Sequence, residues 1–197
     1  MKGLAGIVLA AGASVRLGQP KQLVEYAGTT LVARAANLAN KLCPAGVMVV
    51  TGAHHDDVAD AIAETDASAL FNPRWQEGMG ASIRQGAGAL APDVTGVLIM
   101  LSDQPRVDAS DLQRLVTAWQ AAPSKVAAAC YANTLGVPAI FPAQCIDELK
   151  RVRGDRGARQ VIDRMMPVTE VAMPNAEFDL DTPESLARLL RSEPGQS

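Results

Sequence analysis

The chain has few of the features that mark several common classes of protein. Its three cysteines, Cys43, Cys130 and Cys145, lie far apart without a CxxC pair, which favours buried, reduced thiols of a cytosolic protein over a disulfide framework. No stretch approaches 18 consecutive apolar residues, so we expect no membrane span. The formal net charge is −3 without a basic run, which argues against binding nucleic acid through broad electrostatic attraction.

Histidines are also scarce, and the two that occur, His54 and His55, are adjacent and more typical of an incidental surface pair than of a metal site. The short apolar start runs into a glycine-rich loop without a signal-peptide cleavage pattern, so we expect a cytoplasmic protein. A chain of 197 residues can bury roughly 70% of its unfolded surface. We therefore expect one domain over residues 1–191, followed by a flexible tail at 192–197.

Short apolar runs alternate with helical patterns along the chain. The strand candidates are Ala5–Ala10, Val47–Thr51, Val97–Leu101, Val126–Tyr131, Ala139–Phe141 and a weaker Val168–Ala172. The helix candidates are Leu31–Lys41, Asp57–Glu64, Ala81–Leu90, Ser110–Ala121, Gln144–Lys150, Ala158–Met165 and a last helix capped by Thr182. Because most strand candidates are continuously apolar, the pattern predicts an α/β fold: a three-layer α/β/α sandwich with a mainly parallel mixed sheet. Ligands of such sheets bind beyond the carboxyl ends of the strands.

The loop from Ala10 to Lys21 follows the first strand and has the composition of a phosphate-binding loop. Small residues at positions 10 to 14 let the backbone approach a ligand and turn its amide groups toward phosphate. Arg16 and Lys21 add two cations that can neutralise a triphosphate and its transition state. Five residues separate Gly12 from Gly18, which does not fit a P-loop, and no GxGxxG fingerprint of dinucleotide-binding oxidoreductases occurs.

Carboxylates stand after one strand candidate and before the last helix. Asp103 follows Val97–Leu101 closely, where it could hold Mg²⁺ on a triphosphate, although a capping role before Pro105 is the alternative. Asp179 and Asp181 are two residues apart, a spacing that in an extended segment directs both side chains to one face. We favour Asp181 as the second magnesium ligand and Asp179 as its support.

Two further loops could hold a second substrate. In the segment Asn72–Arg84, Ser82 and Arg84 stand at a helix start and could contact base, ribose or phosphate. Trp75 in this segment is more often a packing residue than a stacking platform. The segment Gly154–Arg159 also opens a helix and is either a receptor for an anionic acceptor or a capped helix start with solvated arginines. The acceptor-binding candidates are Arg84, Gly154, Asp155, Arg156 and Arg159.

Five motifs in order make the sequence resemble the molybdenum cofactor cytidylyltransferases, a branch of the molybdopterin-guanine dinucleotide synthase-like nucleotidyltransferases. They are LAAGxSxRxG at Leu9–Gly18, NPxWxxGMxxSIRxG at Asn72–Gly86, DxP at Asp103–Pro105, GDxGAR at Gly154–Arg159 and DxDTPE at Asp179–Glu184. The resemblance implies a GT-A-like fold of the Rossmann-like nucleotide-diphospho-sugar transferase type. It also implies Mg²⁺-dependent transfer of CMP from CTP to the terminal phosphate of a molybdopterin, with release of pyrophosphate.

The nucleotide-binding residues expected from the loop and the resemblance are Leu9, Ala10, Ala11, Gly12, Ser14, Arg16, Lys21, Ser82 and Asp103, with Arg16, Lys21 and Asp103 as the catalytic group. Ala11 favours CTP over GTP, because guanylyltransferase relatives tend to carry glycine there. The segment at 136–138 reads GVP where relatives often read GHP, which weakens the pterin half of the assignment. The alternatives are a cytidylyltransferase for a sugar or polyol phosphate and a non-catalytic chaperone that delivers molybdopterin to a molybdoenzyme.

Overall fold

The computed structural model describes residues 3–154 and 157–191. The strands are β1 (Leu4–Ala10), β2 (Glu25–Tyr26), β3 (Thr29–Thr30), β4 (Val47–Thr51), β5 (Ala67–Phe71), β6 (Gly96–Leu101), β7 (Ala127–Tyr131), β8 (Thr134–Pro142) and β9 (Thr169–Ala172). The α-helices are α1 (Leu31–Asn40), α2 (His55–Ala61), α3 (Met79–Gly88), α4 (Ala109–Ala121), α5 (Ile146–Leu149), α6 (Arg159–Arg164) and α7 (Pro183–Leu190). Short 3₁₀ turns lie at Lys21–Leu23, Trp75–Glu77, Ala143–Cys145 and Pro174–Glu177.

Seven strands form one mixed sheet in the order β5-β4-β1-β6-β8-β7-β9, while β2 and β3 pair separately. The strands from β5 to β6 are parallel, β8 is antiparallel to both of its neighbours, and β9 is parallel to β7. Every residue of β1 is buried, as expected for a continuously apolar strand with layers on both faces. The prediction of a mainly parallel mixed sheet is confirmed.

Helices cover both faces of this sheet and enclose two separate cores. On one face, Leu4 and Val8 of β1 belong to a core that includes apolar residues of α1, α2 and α4. On the other face, Ile7 and Leu9 belong to a core that includes apolar residues of α3 and α6 and Leu149 of α5. A fully buried side chain of this kind stabilises the fold by roughly 1.5–3 kcal/mol. Successive side chains of an apolar strand point to opposite faces of the sheet, so both faces must be covered. Helices on each face provide that cover, and the result is a fold of three layers.

Strand β8 is longer than the predicted Ala139–Phe141. The added part of the strand contains Gly136 and Pro138, and neither residue type suits a regular strand. In the structure the register between β7 and β8 shifts at this point, from Ala139 to Gly136 on β8, so that Val137 and Pro138 are extra residues without a ladder partner. A bulge of this kind tolerates proline because its nitrogen is not needed in the ladder.

Several helix ends also differ from the sequence expectation. Helix α2 begins at His55 rather than Asp57, because the acidic residues Asp56 and Asp57 fit the first turn, where negative charge favours the helix dipole. Helix α3 begins at Met79, immediately after Gly78 in a positive-φ conformation. The tail predicted at 192–197 lies outside the described residues. Over residues 3–154 and 157–191, no helix has the length and apolar character that crossing a bilayer requires.

Candidate active site

The carboxyl ends of two central strands bring the first loop and Asp103 together. Strands β1 and β6 are parallel neighbours, with Leu9 in register with Leu101. The N–H and the hydroxyl of Ser102 both donate to the carbonyl of Leu9, each at 3.2 Å. Asp103 therefore lies directly beside the loop that begins at Ala10.

The backbone of this loop directs its carbonyls into the protein and leaves amide groups free. The carbonyls at positions 10 and 12 accept hydrogen bonds from Nε2 of Gln22 at 3.0 and 2.7 Å, and the carbonyl at position 11 accepts from the N–H of Ala53 at 3.2 Å. The N–H groups of Gly12 and Ala13 donate to no acceptor in the part of the chain that the structure describes. Satisfied acceptors beside free donors are the arrangement that an anion requires.

The shape of the loop allows a ligand to reach those amide groups. Ser14 has a left-handed backbone conformation, with φ of 55°, which is part of the concave turns that bind anions. A Cβ atom placed on Gly12 would meet nothing within 4 Å, so the space in front of the loop is open. The hydroxyl of Ser14 accepts from the N–H of Lys21 at 3.1 Å and closes the loop on itself.

Gln22 is a functional candidate that the sequence interpretation did not include. Its side chain reaches under the loop, and the residue is only 1% exposed. Glutamine is mostly an exposed residue, so its position after Lys21 gave no sign of burial. Only the three-dimensional structure reveals that its amide group holds the loop.

Four charged side chains from distant parts of the sequence meet beside the loop. The ammonium group of Lys21 contacts Oδ2 of Asp103 and lies 2.7 Å from Oδ1 of Asp181. Arg16 donates to the other oxygen of Asp181 at 2.9 Å, and it is much more exposed than the rest of the group. We refer to Lys21, Asp103 and Asp181 as the ion-pair centre.

These contacts determine the protonation of the ion-pair centre. Desolvation disfavours the charge on Lys21, but the carboxylates of Asp103 and Asp181 outweigh it and raise the pKa of Lys21 above its usual range. Desolvation likewise disfavours the charge on Asp181, but Lys21 and Arg16 outweigh it and hold the pKa of Asp181 below its usual range. Lys21 and Asp181 are therefore both ionised at neutral pH.

The carboxylates of this centre fit a magnesium ion bound together with a triphosphate. Oδ1 of Asp103 is buried and has no hydrogen-bond partner among the described residues, so it is available to a ligand. No group of three or more histidine, cysteine or acidic side chains in the described ranges is placed to hold a metal ion. Mg²⁺ usually takes one or two carboxylates and completes its shell with phosphate oxygens and water. Asp103 and Asp181 would supply that number.

Asp179 and Asp181 have different neighbours in the structure. Asp181 contacts Lys21, whereas Asp179 lines a second cavity of about 440 Å³ with Arg106 and Phe178. Asp179 as a whole residue is exposed, but its carboxylate is partly desolvated. This desolvation and, to a smaller extent, the negative charges of Asp103 and Asp181 raise the pKa of Asp179 to about 7. This segment is fixed to the centre by the N–H of residue 180, which donates to the carbonyl of Asp103 at 2.9 Å.

A cavity of about 360 Å³ lies between the first loop and the start of α3. Its lining residues are Leu9, Ala10, Ala11, Gly12, Lys21, Gln22, Trp75, Gln76, Gly78, Met79, Ser82, Leu101, Ser102 and Asp103. Seven of the nine expected nucleotide-binding residues are in this set, and Ser14 and Arg16 are the two that are not. Trp75 forms one wall and packs against Gly52, so it serves packing and also faces the cavity.

The loops expected to bind the acceptor are brought close to this cavity, with one side chain engaged elsewhere. Arg84 donates to the carbonyl of Val152 at 2.7 Å and to Glu77 at 2.6 Å, so its guanidinium is already bonded within the protein. The carbonyl of Gly154 accepts from the N–H of residue 80 at 2.9 Å, and Arg159 begins α6. Asp155 and Arg156 lie outside the described residues.

His55 and the cysteines have packing environments. Nδ1 of His55 lies 2.7 Å from the hydroxyl of Thr51, and its ring packs against that of Phe71 in a tilted arrangement, with 5.0 Å between the ring centroids. The three cysteines are free, with Cys43 and Cys145 buried. These contacts give neither residue type a place beside the ion-pair centre.

The chain is similar to known proteins over most of its length. A sequence model of the MobA-like NTP transferase domain matches residues 6–169. Nicotine blue oxidoreductase from Paenarthrobacter nicotinovorans is 30% identical, over 94% of this chain and 95% of that protein. The purine catabolism protein PucB from Bacillus subtilis is 27% identical, over 96% of this chain and 97% of that protein.

A solved structure shares the whole architecture. Rv0371c from Mycobacterium tuberculosis H37Rv superimposes with a TM-score of 0.83 at 31% identity, covering 96% of this chain and 97% of that chain. A second structure of Rv0371c is a complex with manganese, with a TM-score of 0.78 at 30% identity over 96% of this chain and 98% of that chain. A divalent cation is therefore compatible with the fold.

Proposed function

Because the chain belongs to the MobA-like NTP transferase domain family, we propose that it transfers CMP from CTP to the terminal phosphate of a molybdopterin cofactor and releases pyrophosphate. The observation that carries this proposal is the juxtaposition of free loop amide groups with the ion-pair centre. The amide groups of Gly12 and Ala13 suit phosphate oxygens, and Asp103 offers an unpartnered carboxylate oxygen. The motif resemblance supports the molybdopterin acceptor.

The reaction requires alignment and charge neutralisation rather than a general base. A phosphate monoester has its second pKa near 6 and is largely a dianion at neutral pH. One of its oxygens attacks the α-phosphorus of CTP, the bond from that phosphorus to the bridging oxygen breaks, and the electron pair leaves with pyrophosphate. In the proposal, the loop amide groups hold the triphosphate for this attack.

In the proposal, the basic side chains act on the leaving group and the acidic side chains bind the metal. Arg16 and Lys21 neutralise the negative charge that passes to pyrophosphate. Asp103 and Asp181 would hold Mg²⁺, which would supply positive charge beside the phosphates when bound. The manganese complex of Rv0371c supports a divalent cation in this role.

The acceptor is proposed to bind at the segment 154–159. This segment, to which Gly154, Asp155, Arg156 and Arg159 belong, combines two glycines with two arginines, whose cations suit an anionic group. Arg84 donates a hydrogen bond to the carbonyl of Val152, two residues before Gly154, and so holds the chain that leads into this segment. Ser82 is proposed to contact the nucleotide, since it lines the same cavity as Asp103 and accepts a hydrogen bond from Asn72 at 3.1 Å.

Pyrophosphate release tests the proposal directly. CTP, GTP, ATP and UTP are compared with Mg²⁺ and either molybdopterin, a sugar phosphate or a polyol phosphate. We expect release with CTP and molybdopterin, with Ala11 favouring CTP. Faster release with GTP would contradict the role of Ala11, and release with a sugar phosphate alone would replace the acceptor. Tight binding of molybdopterin without release from any nucleotide would instead identify a chaperone.

An oxidoreductase is the second candidate, favoured by the similarity to nicotine blue oxidoreductase over nearly the whole length of both proteins. The lack of a GxGxxG fingerprint speaks against it. Thermal unfolding with CTP, NADH, NADPH and a reduced flavin, each added separately, distinguishes the two candidates. Stabilisation by a nicotinamide or flavin but not by CTP with Mg²⁺ would favour the oxidoreductase.

A further inference from the structure

The side chain of Gln22 makes three hydrogen bonds, all of them to the first loop. Both hydrogens of its amide nitrogen are donated, to the carbonyls of Ala10 and Gly12. Its amide oxygen accepts from the hydroxyl of Ser14 at 3.3 Å. These bonds fix the orientation of the amide, because the two carbonyls require the nitrogen between them.

The direction of the loop amide groups follows from these bonds. A peptide group has its C=O and N–H on opposite sides, so a carbonyl held inward turns the next N–H outward. Gln22 holds the carbonyl of Gly12 inward, and the next N–H is the free one of Ala13. Gly12 itself lines the cavity.

Neighbouring side chains in the 3₁₀ turn Lys21–Leu23 thus serve the two halves of the site. Lys21 pairs with the carboxylates of the ion-pair centre, and Gln22 orders the loop amide groups. We propose that Gln22 is a positioning residue for the triphosphate, acting through the loop backbone whose carbonyls it holds. This inference rests on the proposed binding of a nucleoside triphosphate.

Binding of inorganic tripolyphosphate and of CTP, each with Mg²⁺, measured by calorimetry tests this role. Gln22→Met keeps the length of the side chain but removes both donors. We expect its affinity for both ligands to fall about tenfold, the effect of losing one or two hydrogen bonds. The matched control is Gln144→Met, because Gln144 also donates to a backbone carbonyl, that of Ser124 at 2.8 Å, but does so far from the cavity. The control should bind both ligands as the wild type does.

Thermal unfolding without ligand accompanies these measurements and separates positioning from general destabilisation. Should Gln22→Met lack a cooperative transition, Gln22→Asn keeps an uncharged amide group but shortens the side chain by one methylene, so that it cannot reach both carbonyls, and it should weaken both ligands severalfold. Unchanged affinities in a folded Gln22→Met, an equal loss in the control, or a loss for CTP but not for tripolyphosphate would overturn the inference. A wild-type protein that binds neither ligand would refute the proposed function instead.

Discussion

Replacing Lys21 with methionine removes the ammonium group from between Asp103 and Asp181 while keeping most of the side chain. The side chains of Lys21 and Asp103 are 16% and 13% exposed, so the substitution leaves a nearly buried carboxylate without its cation. Removing one partner of a buried ion pair costs about 3–5 kcal/mol. Asp181 is 35% exposed and keeps its contact with Arg16, which lowers the expected loss to ~2 kcal/mol.

This loss can be measured as a change in Tm and offset by a divalent cation. A chain of this size loses about 2–4 °C per kcal/mol, so we expect Lys21→Met to unfold ~4–8 °C below the wild type. Without the ammonium group, Mn²⁺ can take its place between the carboxylates. An ion at about 100 times its Kd adds roughly 2.7 kcal/mol, enough to restore the Tm of the variant.

The assay is thermal unfolding without nucleotide, with and without Mn²⁺, and Lys150→Met is the matched control. Lys150 pairs with Asp147 at 3.6 Å on the surface, so its loss should have little effect in either condition. We expect Mn²⁺ to raise the Tm of Lys21→Met more than that of the wild type. An equal rise in both would show that the ammonium group and the ion do not compete for the same carboxylates.

Three further substitutions or modifications test other parts of the structure. Asp103→Ala should lower the rate of pyrophosphate release about 100-fold or more while partly keeping CTP binding, and an unchanged rate would remove Asp103 from the site. Asp108→Ala should cost about 1 kcal/mol, since Asp108 caps α4. Hydrogen bonding from Ser110 holds the pKa of Asp108 below its usual range, so this contribution is present above the unfolded-state pKa and lost as the pH falls through the folded-state pKa. The difference in Tm between wild type and Asp108→Ala should therefore shrink in acid, and a difference that grows there would contradict the cap. Burial raises the pKa of Cys43 to about 12 and that of Cys145 to about 11. Ellman's reagent at neutral pH should therefore react with at most one thiol of the native protein, that of Cys130. Rapid reaction of two thiols would contradict the burial of Cys43 and Cys145.

The features that the sequence predicts well are those encoded by neighbouring residues. The apolar run of β1 identifies a buried central strand, and the small and basic residues that follow identify the loop. Strand β8 was underestimated because Gly136 and Pro138 are strand breakers in isolation, whereas a shift in register accommodates them. The antiparallel direction of β8 depends on a tight turn at Ala132 and Asn133, both of which have positive φ. Turns of this kind usually contain glycine, and this one has none, so the sequence did not indicate a hairpin.

The candidate site was predictable residue by residue but not as an arrangement. The sequence analysis joined Asp103 and Asp181 as expected magnesium ligands and assigned Lys21 to the triphosphate, so it did not predict that Lys21 contacts both carboxylates. Lys21 and Asp181 are 160 positions apart, and no local pattern encodes a contact over that separation. The role of Gln22 is likewise not readable from the sequence, because it donates to backbone carbonyls, which every residue type carries.

The position of Asp181 depends on the last described helix, so that helix is part of the site. The hydroxyl of Ser185 in α7 accepts hydrogen bonds from the N–H groups of Asp181 and Thr182, at 3.1 and 3.0 Å. Leu189 of the same helix is buried with Leu17, which belongs to the first loop. One small core therefore joins the loop to the segment that carries Asp181. The contact between Lys21 and Asp181 needs both the first loop and the segment of Asp181 in place. Substitutions that loosen the packing of this small core should therefore disturb the ion-pair centre before they affect the sheet.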